Sequence, residues 1–412
     1  MNSFKERKSL LLLITTTAVI KLVMLFFIHD FRVWEDNEIA LNYLATGKMY
    51  YMHDGAMVYN YSLPVYPFLL IIIYKIFGVH YHLAAAFNVL FSALSALLFY
   101  DVFNAFFARF NLPEKVRGWQ QKIVLLSVAA YLFHPLITFY EIKNVHPFAM
   151  YIFLYVLCLW LMVKYDEKST WLRLVVFSLV LGISILARPT LGAVIFPFFF
   201  WLMQKQKFGR AIFKSTCVLA IASIIPLAWV WNTYNNAKST TLLPNMGMGM
   251  WMGTLQKTEG SNASTDGKTF YAQLSADDSL ELSKILPAKR DSFFRAKYMY
   301  TLKHNPGRVG EMFLVKFCNF WLFRKAIGID YPAWIQNLIP IYKVAYISVL
   351  LLVLFAVFKI GRQALILMSL PFAVSLVHAA IYVEMRHRIM FEPLLIFLAI
   401  IGASFILAKR KA

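Results

Sequence analysis

Apolar positions in this chain run in long blocks instead of alternating with polar ones. Ten blocks, at 10–28, 82–103, 123–140, 148–163, 171–187, 190–203, 211–231, 340–358, 364–383 and 389–408, predict helices that cross a membrane, for which about 20 apolar residues are needed. A further apolar stretch, Pro64 to Val79, is shorter and predicts an interfacial or re-entrant helix. No internal repeat is visible. The expected fold is therefore an all-α polytopic membrane protein with about ten transmembrane helices.

The polar positions divide this frame into an N-terminal membrane module (1–231), a segment of about a hundred residues (232–339) and C-terminal membrane helices (340–412). The connection 29–81 carries three carboxylates, Glu35, Asp36 and Glu38, then a short helical pattern ending at Gly47. Acids in a first turn favour a helix through its dipole, and glycine suits the left-handed residue that closes one. A general base held at the membrane surface needs the same residues. Within 232–339, Met246–Met250 and Ser261–Gly267 read as loops, and Ser275 ahead of Asp277 and Asp278 reads as a helix start. Asn305-Pro306-Gly307 separates helical patterns at about 289–304 and 307–325. The second is amphipathic, with Phe313, Phe317, Phe320 and Trp321 on one side, and is expected to lie on the membrane.

Composition supports the membrane reading: 60% of the 412 residues are hydrophobic and 15% charged, more apolar surface than a soluble chain can bury. The net charge of +20 would suggest nucleic acid in a soluble protein, but no separate basic domain exists here. The cations sit instead in short connections: Arg109, Lys115, Arg117 and Lys122; Lys164 and Lys168; Lys205, Lys207 and Arg210; Lys359 and Arg362; and terminal Lys409, Arg410 and Lys411. Leaving 64–79 out of the span count puts all of these on one side, which the positive-inside rule makes cytoplasmic together with both termini. Lys5, Arg7 and Lys8 before the first apolar run imitate a signal peptide, but without a small-residue cleavage site the run reads as an uncleaved helix. Cys158, Cys217 and Cys318 have neither disulfide nor zinc spacing. Asn262-Ala263-Ser264 is a glycosylation sequon by spelling only.

The same topology gathers ionisable residues at the outer rim from several connections: the acids of 29–81, Glu141, Lys143 and His146 in the turn 141–147, Arg188, and Glu384 to Arg388. An enzyme that moves a sugar from a polyprenyl phosphate needs a carboxylate to take a proton from the acceptor, cations for the departing phosphate and an apolar groove for the tail. Arg386, Arg388 and Arg188 supply forked donors suited to phosphate. Their position runs against the positive-inside bias, which argues for use over headgroup snorkelling. His29 and His53 near the acids leave a divalent metal as the one cofactor still open, although lone interfacial histidines are more often unligated. Lys21 lies inside the first span, as a snorkelling cation or as an ion partner within the bundle.

Four stretches carry a resemblance. Acids just after the first span precede Leu41-Asn42-Tyr43-Leu44-Ala45-Thr46-Gly47, and Pro64-Val65-Tyr66-Pro67-Phe68-Leu69-Leu70 leads to Tyr74-Lys75-Ile76-Phe77-Gly78. Later come Leu186-Ala187-Arg188-Pro189-Thr190 and Arg386-His387-Arg388-Ile389-Met390-Phe391-Glu392-Pro393. In order and side these resemble the GT-C glycosyltransferases, in particular the family 39 superfamily of protein O-mannosyltransferases and lipid A aminoarabinose transferases. The resemblance implies a GT-C fold and an inverting transfer from a polyprenyl-phosphate sugar to a glycan, lipid or protein acceptor, on the outer face of the inner or plasma membrane. It implies Asp36 as base, with Glu35 as the other candidate, and Arg386, Arg388, Arg188 and His387 as donor-phosphate ligands. Glu38, Glu141, Lys143 and His146 are accessory candidates. The chain departs from the family in the spacing between the acids and Gly47, and in having Leu63 where relatives often carry a basic residue.

Two readings compete. A flippase or transporter for a lipid-linked glycan would concentrate ionisable residues near the midplane in paired, interrupted helices. A ligase or polymerase of surface glycans would share the large outer segment without acids directly after the first span. Neither the sugar nor the acceptor is spelled in the chain, since specificity resides in pocket shape.

Overall fold

The computed structural model of the protein describes residues 2–53, 55–59, 61–237, 242, 245–325 and 333–410. Lys411 and parts of the 232–339 segment, at 238–241, 243–244 and 326–332, lie outside them. The chain begins with α1 (Asn2–Phe26), a two-residue strand β1 (Arg32–Val33), α2 (Glu35–Thr46), the hairpin β2 (Tyr50–His53) and β3 (Ala56–Tyr59), and α3 (Val65–Phe77). Next come α4 (Tyr81–Arg109), α5 (Glu114–Arg117), α6 (Gln120–Leu132), α7 (Pro135–Lys143), β4 (Asn144–Val145), α8 (Phe148–Glu167) and α9 (Trp171–Ala187). A 3-10 turn, Pro189–Val194, runs into α10 (Ile195–Met203), followed by α11 (Phe208–Ala237). Then α12 (Met246–Met252), α13 (Ala276–Lys284), α14 (Arg290–His304) and α15 (Pro306–Trp321) precede α16 (Ala333–Ile360), α17 (Arg362–Ala380), α18 (Arg386–Ile389) and α19 (Glu392–Arg410).

The protein is a helical polytopic membrane protein with almost no sheet. Among the described residues, seven helices, α1, α4, α8, α11, α16, α17 and α19, contain stretches long and apolar enough to cross, or eight spans if α6 and α7, bent by 44°, form one. The apolar blocks predict ten; the difference from eight lies in α9 and the stretch 189–203, which are apolar but shorter. The bend in 120–143 has a local cause. His134 precedes Pro135, which cannot donate to the helix ladder, and the His134 ring accepts the Ile137 N–H as an N-cap. Helix α3, at 13 residues, is about 20 Å long, short of a crossing.

Helix α4 sits centrally, packed on α1, α6, α7 and α8. Its Phe103 stacks on Phe397 of α19 with centroids 4.2 Å apart, and Phe106 meets the Trp201 ring edge to face. At the perimeter, α16 leaves Leu351, Leu354 and Phe358 more than 60% exposed, a face that is stable only against lipid. Where helices must approach closely, glycine permits it: a Cβ on Gly182 of α9 would meet the Ala222 carbonyl of α11 at 2.5 Å.

The connections sort to two ends. At one end Arg109 binds Asp166 and Gln204, Lys205 binds Asp166 at 2.9 Å, the Asn111 N–H donates to Gln363, and Lys115 donates to the Ala408 carbonyl. At the other end β1 pairs in parallel with β4, Arg32 beside Asn144 and Val33 beside Val145. The smaller segment has its own apolar cluster of Trp251, Met252, Phe270, Phe293 and Phe294.

The expectation of a loop at Met246–Met250 is overturned, because these residues form α12. Glycine disfavours a helix intrinsically, but here packing outweighs that cost. A Cβ on Gly247 would lie 2.5 Å from the Asp291 carbonyl, and one on Gly253 1.6 Å from that of Ile381. Ser275 caps α13 as expected, its hydroxyl accepting from the Asp278 N–H. Amphipathic α15 turns Met312, Lys316 and Phe320 inward against the protein, with Phe317 edge-on to Phe372 of α17.

Candidate active site

Helix α2 presents the acid cluster. Gly47 closes it at φ 73°, donating to the Tyr43 carbonyl, the left-handed cap that glycine adopts without strain. Its start is fixed from two directions. The β1–β4 pairing lays residues 32–33 along 144–145, and the Asn88 amide donates to the carbonyls of Glu141 and Asn144. Opposite, the Tyr74 hydroxyl of α3 donates to the Asn37 side chain at 2.6 Å.

Here lies a cavity of about 570 Å³. Glu35 and Asp36 line one wall, and Arg188, Arg386, His387 and His146 line others. Asp36 is only 5% exposed and accepts the Ser62 hydroxyl at 2.5 Å. Burial first, and then the Glu35 charge, push its carboxyl up to about 7 against the lowering effect of that hydrogen bond. A carboxylate that only complemented the helix dipole would stay ionised and solvated. Glu38, the third acid, instead accepts the Met52 N–H at 2.9 Å and is not in the cavity wall.

Arg188 stands extended between the end of α9 and Pro189, as residues before proline do. Its Nε donates to Thr190 Oγ1 at 3.0 Å and Nη2 reaches His378 Nε2 at 3.4 Å. The His378 Nδ1 contact with the Tyr382 carbonyl at 3.1 Å requires that Nδ1 carry the proton, which leaves Nε2 as the acceptor for Arg188. Arg386 pairs with Glu384 at 2.6 Å and lies over the Trp34 ring at 4.9 Å. His387 stacks on His378, with centroids 3.7 Å apart, and its Nδ1 accepts the Glu384 N–H, so a neutral ring carries its proton on Nε2. His146 is 8% exposed and its Nδ1 has no hydrogen-bond partner among the described residues. Burial and then the nearby arginines hold His146 well below the usual histidine range, and burial with His378 and the arginines does the same for His387. Both rings are neutral hydrogen-bonding groups at physiological pH.

Four of the sequence-predicted residues do not meet in this cavity. Besides Glu38, the correction concerns Arg388, Glu141 and Lys143. Arg388 is 1% exposed and turned into the bundle, bonded to Glu392, to the Tyr342 hydroxyl and to the carbonyls of Phe320 and Leu322, with Tyr346 beneath its guanidinium at 3.8 Å. One residue of spacing on the short helix α18 sends Arg386 and Arg388 to different sides. Glu141 is fully buried against Lys21 at 2.5 Å, which places Lys21 in an internal ion pair that also reaches Ser92. Lys143 pairs with Asp30. Sequence reasoning missed Ser62, Trp34, Tyr151, His378 and Tyr382, all in the cavity wall. Ser62 precedes the Pro64 block that drew notice, while His378 sits inside an apolar run and carries no pattern of its own. Leu63 does line the cavity. Among the described residues, no three His, Cys, Asp or Glu side chains converge as a metal site.

Ionisable groups from four connections thus line one pocket, carboxylates and guanidinium groups among them, with Phe196, Ala373, Val377 and Ile381 continuing the wall as apolar surface. The chain matches no family model, no curated protein and no solved structure.

Proposed function

We propose that the protein is an integral-membrane glycosyltransferase that moves a sugar from a polyprenyl-phosphate donor to an acceptor hydroxyl at the outer membrane face, with inversion. The observation that carries this reading is one cavity lined by the buried Asp36 together with Arg188 and Arg386, whose wall continues as apolar surface of α10 and α17. Asp36 takes the acceptor proton, the freed oxygen attacks the anomeric carbon, and the bond from that carbon to the phosphate oxygen breaks. Polyprenyl phosphate leaves with the electron pair, its added charge met by Arg188 and Arg386 and by the neutral His387 N–H. The apolar wall suits the first prenyl units. The sequence resemblance to GT-C enzymes supports the same chemistry, and the positive-inside rule assigns the opposite end of the bundle, with Arg109, Lys205 and Arg362, to the cytoplasm.

The test is release of polyprenyl phosphate from a polyprenyl-phosphate hexose by purified protein. Asp36→Asn keeps the shape but not the base, so turnover should fall about a hundred-fold or more while donor binding survives. Glu35→Gln is the companion. Near-normal turnover in both folded, donor-binding variants would sink the assignment.

A further inference from the structure

A second cavity, of about 810 Å³, lies at the opposite end of the bundle, where α10 packs on α17 and Arg109, the last residue of α4, joins the wall. Three cations line it, Arg109, Lys205 and Arg362, and among the described residues no carboxylate does. Asp166 is bonded to both Arg109 and Lys205, so one negative charge answers two positive ones. Arg362 is exposed and has no side-chain hydrogen-bond or ion-pair partner among the described residues. It is also the first residue of α17, where a cation opposes the helix dipole, so helix stability does not account for it. Arg109 is held in place, its guanidinium over the Trp201 ring at 3.6 Å and its Nη1 donating to Gln204 Oε1 at 3.0 Å. Gln363 likewise accepts the Asn111 N–H through its oxygen, at 2.9 Å. Both glutamines therefore keep their amide N–H groups as donors on the cavity wall. The rest of the wall is apolar, and its Phe200, Met203 and Leu365 are each more than a third exposed.

We infer that this cavity binds the headgroup of an anionic glycerophospholipid, whose acyl chain lies along the seam between α10 and α17. The inference concerns the end of the bundle away from Asp36 and does not rest on the transfer chemistry. A phosphodiester accepts the forked donors of Arg362 and Arg109, the Lys205 ammonium and the glutamine amides together. The excess of cations over carboxylates selects for negative charge, and a zwitterionic lipid would bring its own cation against them. A free phosphate would satisfy the cations but leave Phe200, Met203 and Leu365 in contact with water, whereas an acyl chain covers them. The seam has room for that chain's continuation: Phe200 is one turn from Phe196 on α10 and Ile366 two turns from Ala373 on α17, and Phe196 and Ala373 line the acid-bearing cavity. Basic pockets between membrane helices recognise anionic headgroups in this way. The positive-inside rule says at which end cations collect. It does not bring three of them, from residues 109, 205 and 362, around one apolar cavity.

Native mass spectrometry of the full chain, delipidated in detergent and given one lipid at a time, tests this. Phosphatidylglycerol should bind about ten-fold or more tightly than phosphatidylcholine of the same chains. The double variant Lys205→Gln with Arg362→Gln should weaken phosphatidylglycerol binding by about ten- to thirty-fold, the range for two cations lost near a phosphate. Both side chains are exposed, so the variant should melt near wild type, and Arg109, which is packed on Trp201, is left intact. A matched double variant, Lys207→Gln with Arg210→Gln, removes the same charge from exposed residues of the next connection, outside the cavity, and should bind as wild type does. Phosphatidylglycerol should raise the melting temperature of wild type, and excess inorganic phosphate should not reproduce the rise. Equal affinity for the two lipids would overturn the inference. So would equal loss in the two double variants, which would mean diffuse surface charge, or the same thermal shift from inorganic phosphate, which would mean a free-anion site.

Discussion

Asp36 shows how much a residue's surroundings add to its type. As an acid in a first turn it is unremarkable; buried beside Glu35 and bonded to Ser62, it keeps its proton up to about pH 7. Because an unfolded aspartate releases that proton near ~3.9, the folded state binds it more tightly. The stability gained is complete below about pH 4 and is lost as pH rises toward 7. Wild type should therefore lose melting temperature across that window relative to Asp36→Asn, in which the titrating group is gone. Turnover should run the other way, rising about ten-fold per pH unit below 7 and levelling above it, as a base must be deprotonated to act; a flat kcat/KM profile would contradict the role. Arg386 and Arg388 differ in the same sense. Arg388→Ala would leave Glu392 buried with one partner fewer and the Phe320 and Leu322 carbonyls without their donor, a loss of about 3–5 kcal/mol read as a large fall in melting temperature. Arg386→Ala should melt near wild type and bind donor about ten- to a hundred-fold more weakly. The pair looked alike in sequence because spelling does not say which way a side chain turns.

At the scale of elements, helix caps were legible and packing was not. Gly47 ends α2 and Ser275 starts α13 by local chemistry that needs no partner. Helix α12 contradicts its own glycines because it is wedged between α14 and the Ile381 backbone. Gly253→Ala should drive a methyl group into the Ile381 carbonyl, displace Tyr382 from the cavity wall, and cost both stability and donor binding. Gly310→Ala in α15, where an added Cβ meets nothing within 4 Å, should be neutral or stabilising by up to about 1 kcal/mol, since alanine favours a helix. Equal melting temperatures for the two variants would refute the wedge.

For the whole molecule, the charge distribution predicts sidedness. The connections around Arg109, Asp166, Lys205 and Gln363 meet at one end and those around Asp36, His146, Arg188 and Arg386 at the other. In a background lacking Cys158, Cys217 and Cys318, a cysteine at Lys268 should react with an impermeant label in intact cells, and one at Lys115 should not. Labelling of site 115 from outside would reverse the topology.

Membrane residence, helical class, the order of the apolar runs and their basic connections followed from the sequence, because they depend on local length, hydrophobicity and charge. The acids after the first span and Arg188 at a proline-stopped helix end were equally visible. Which of them meet was decided only in three dimensions. Asp36 and Arg386 are 350 residues apart in number, and no local rule brings them together. The two-residue β1–β4 pairing and the Tyr74–Asn37 bond pin the acids beside the cavity, the Lys21–Glu141 pair withdraws Glu141 into the bundle, and Glu392 with Tyr342 draws Arg388 inward. A buried charge must find its partner wherever the fold places one, and that choice is settled by packing between distant helices.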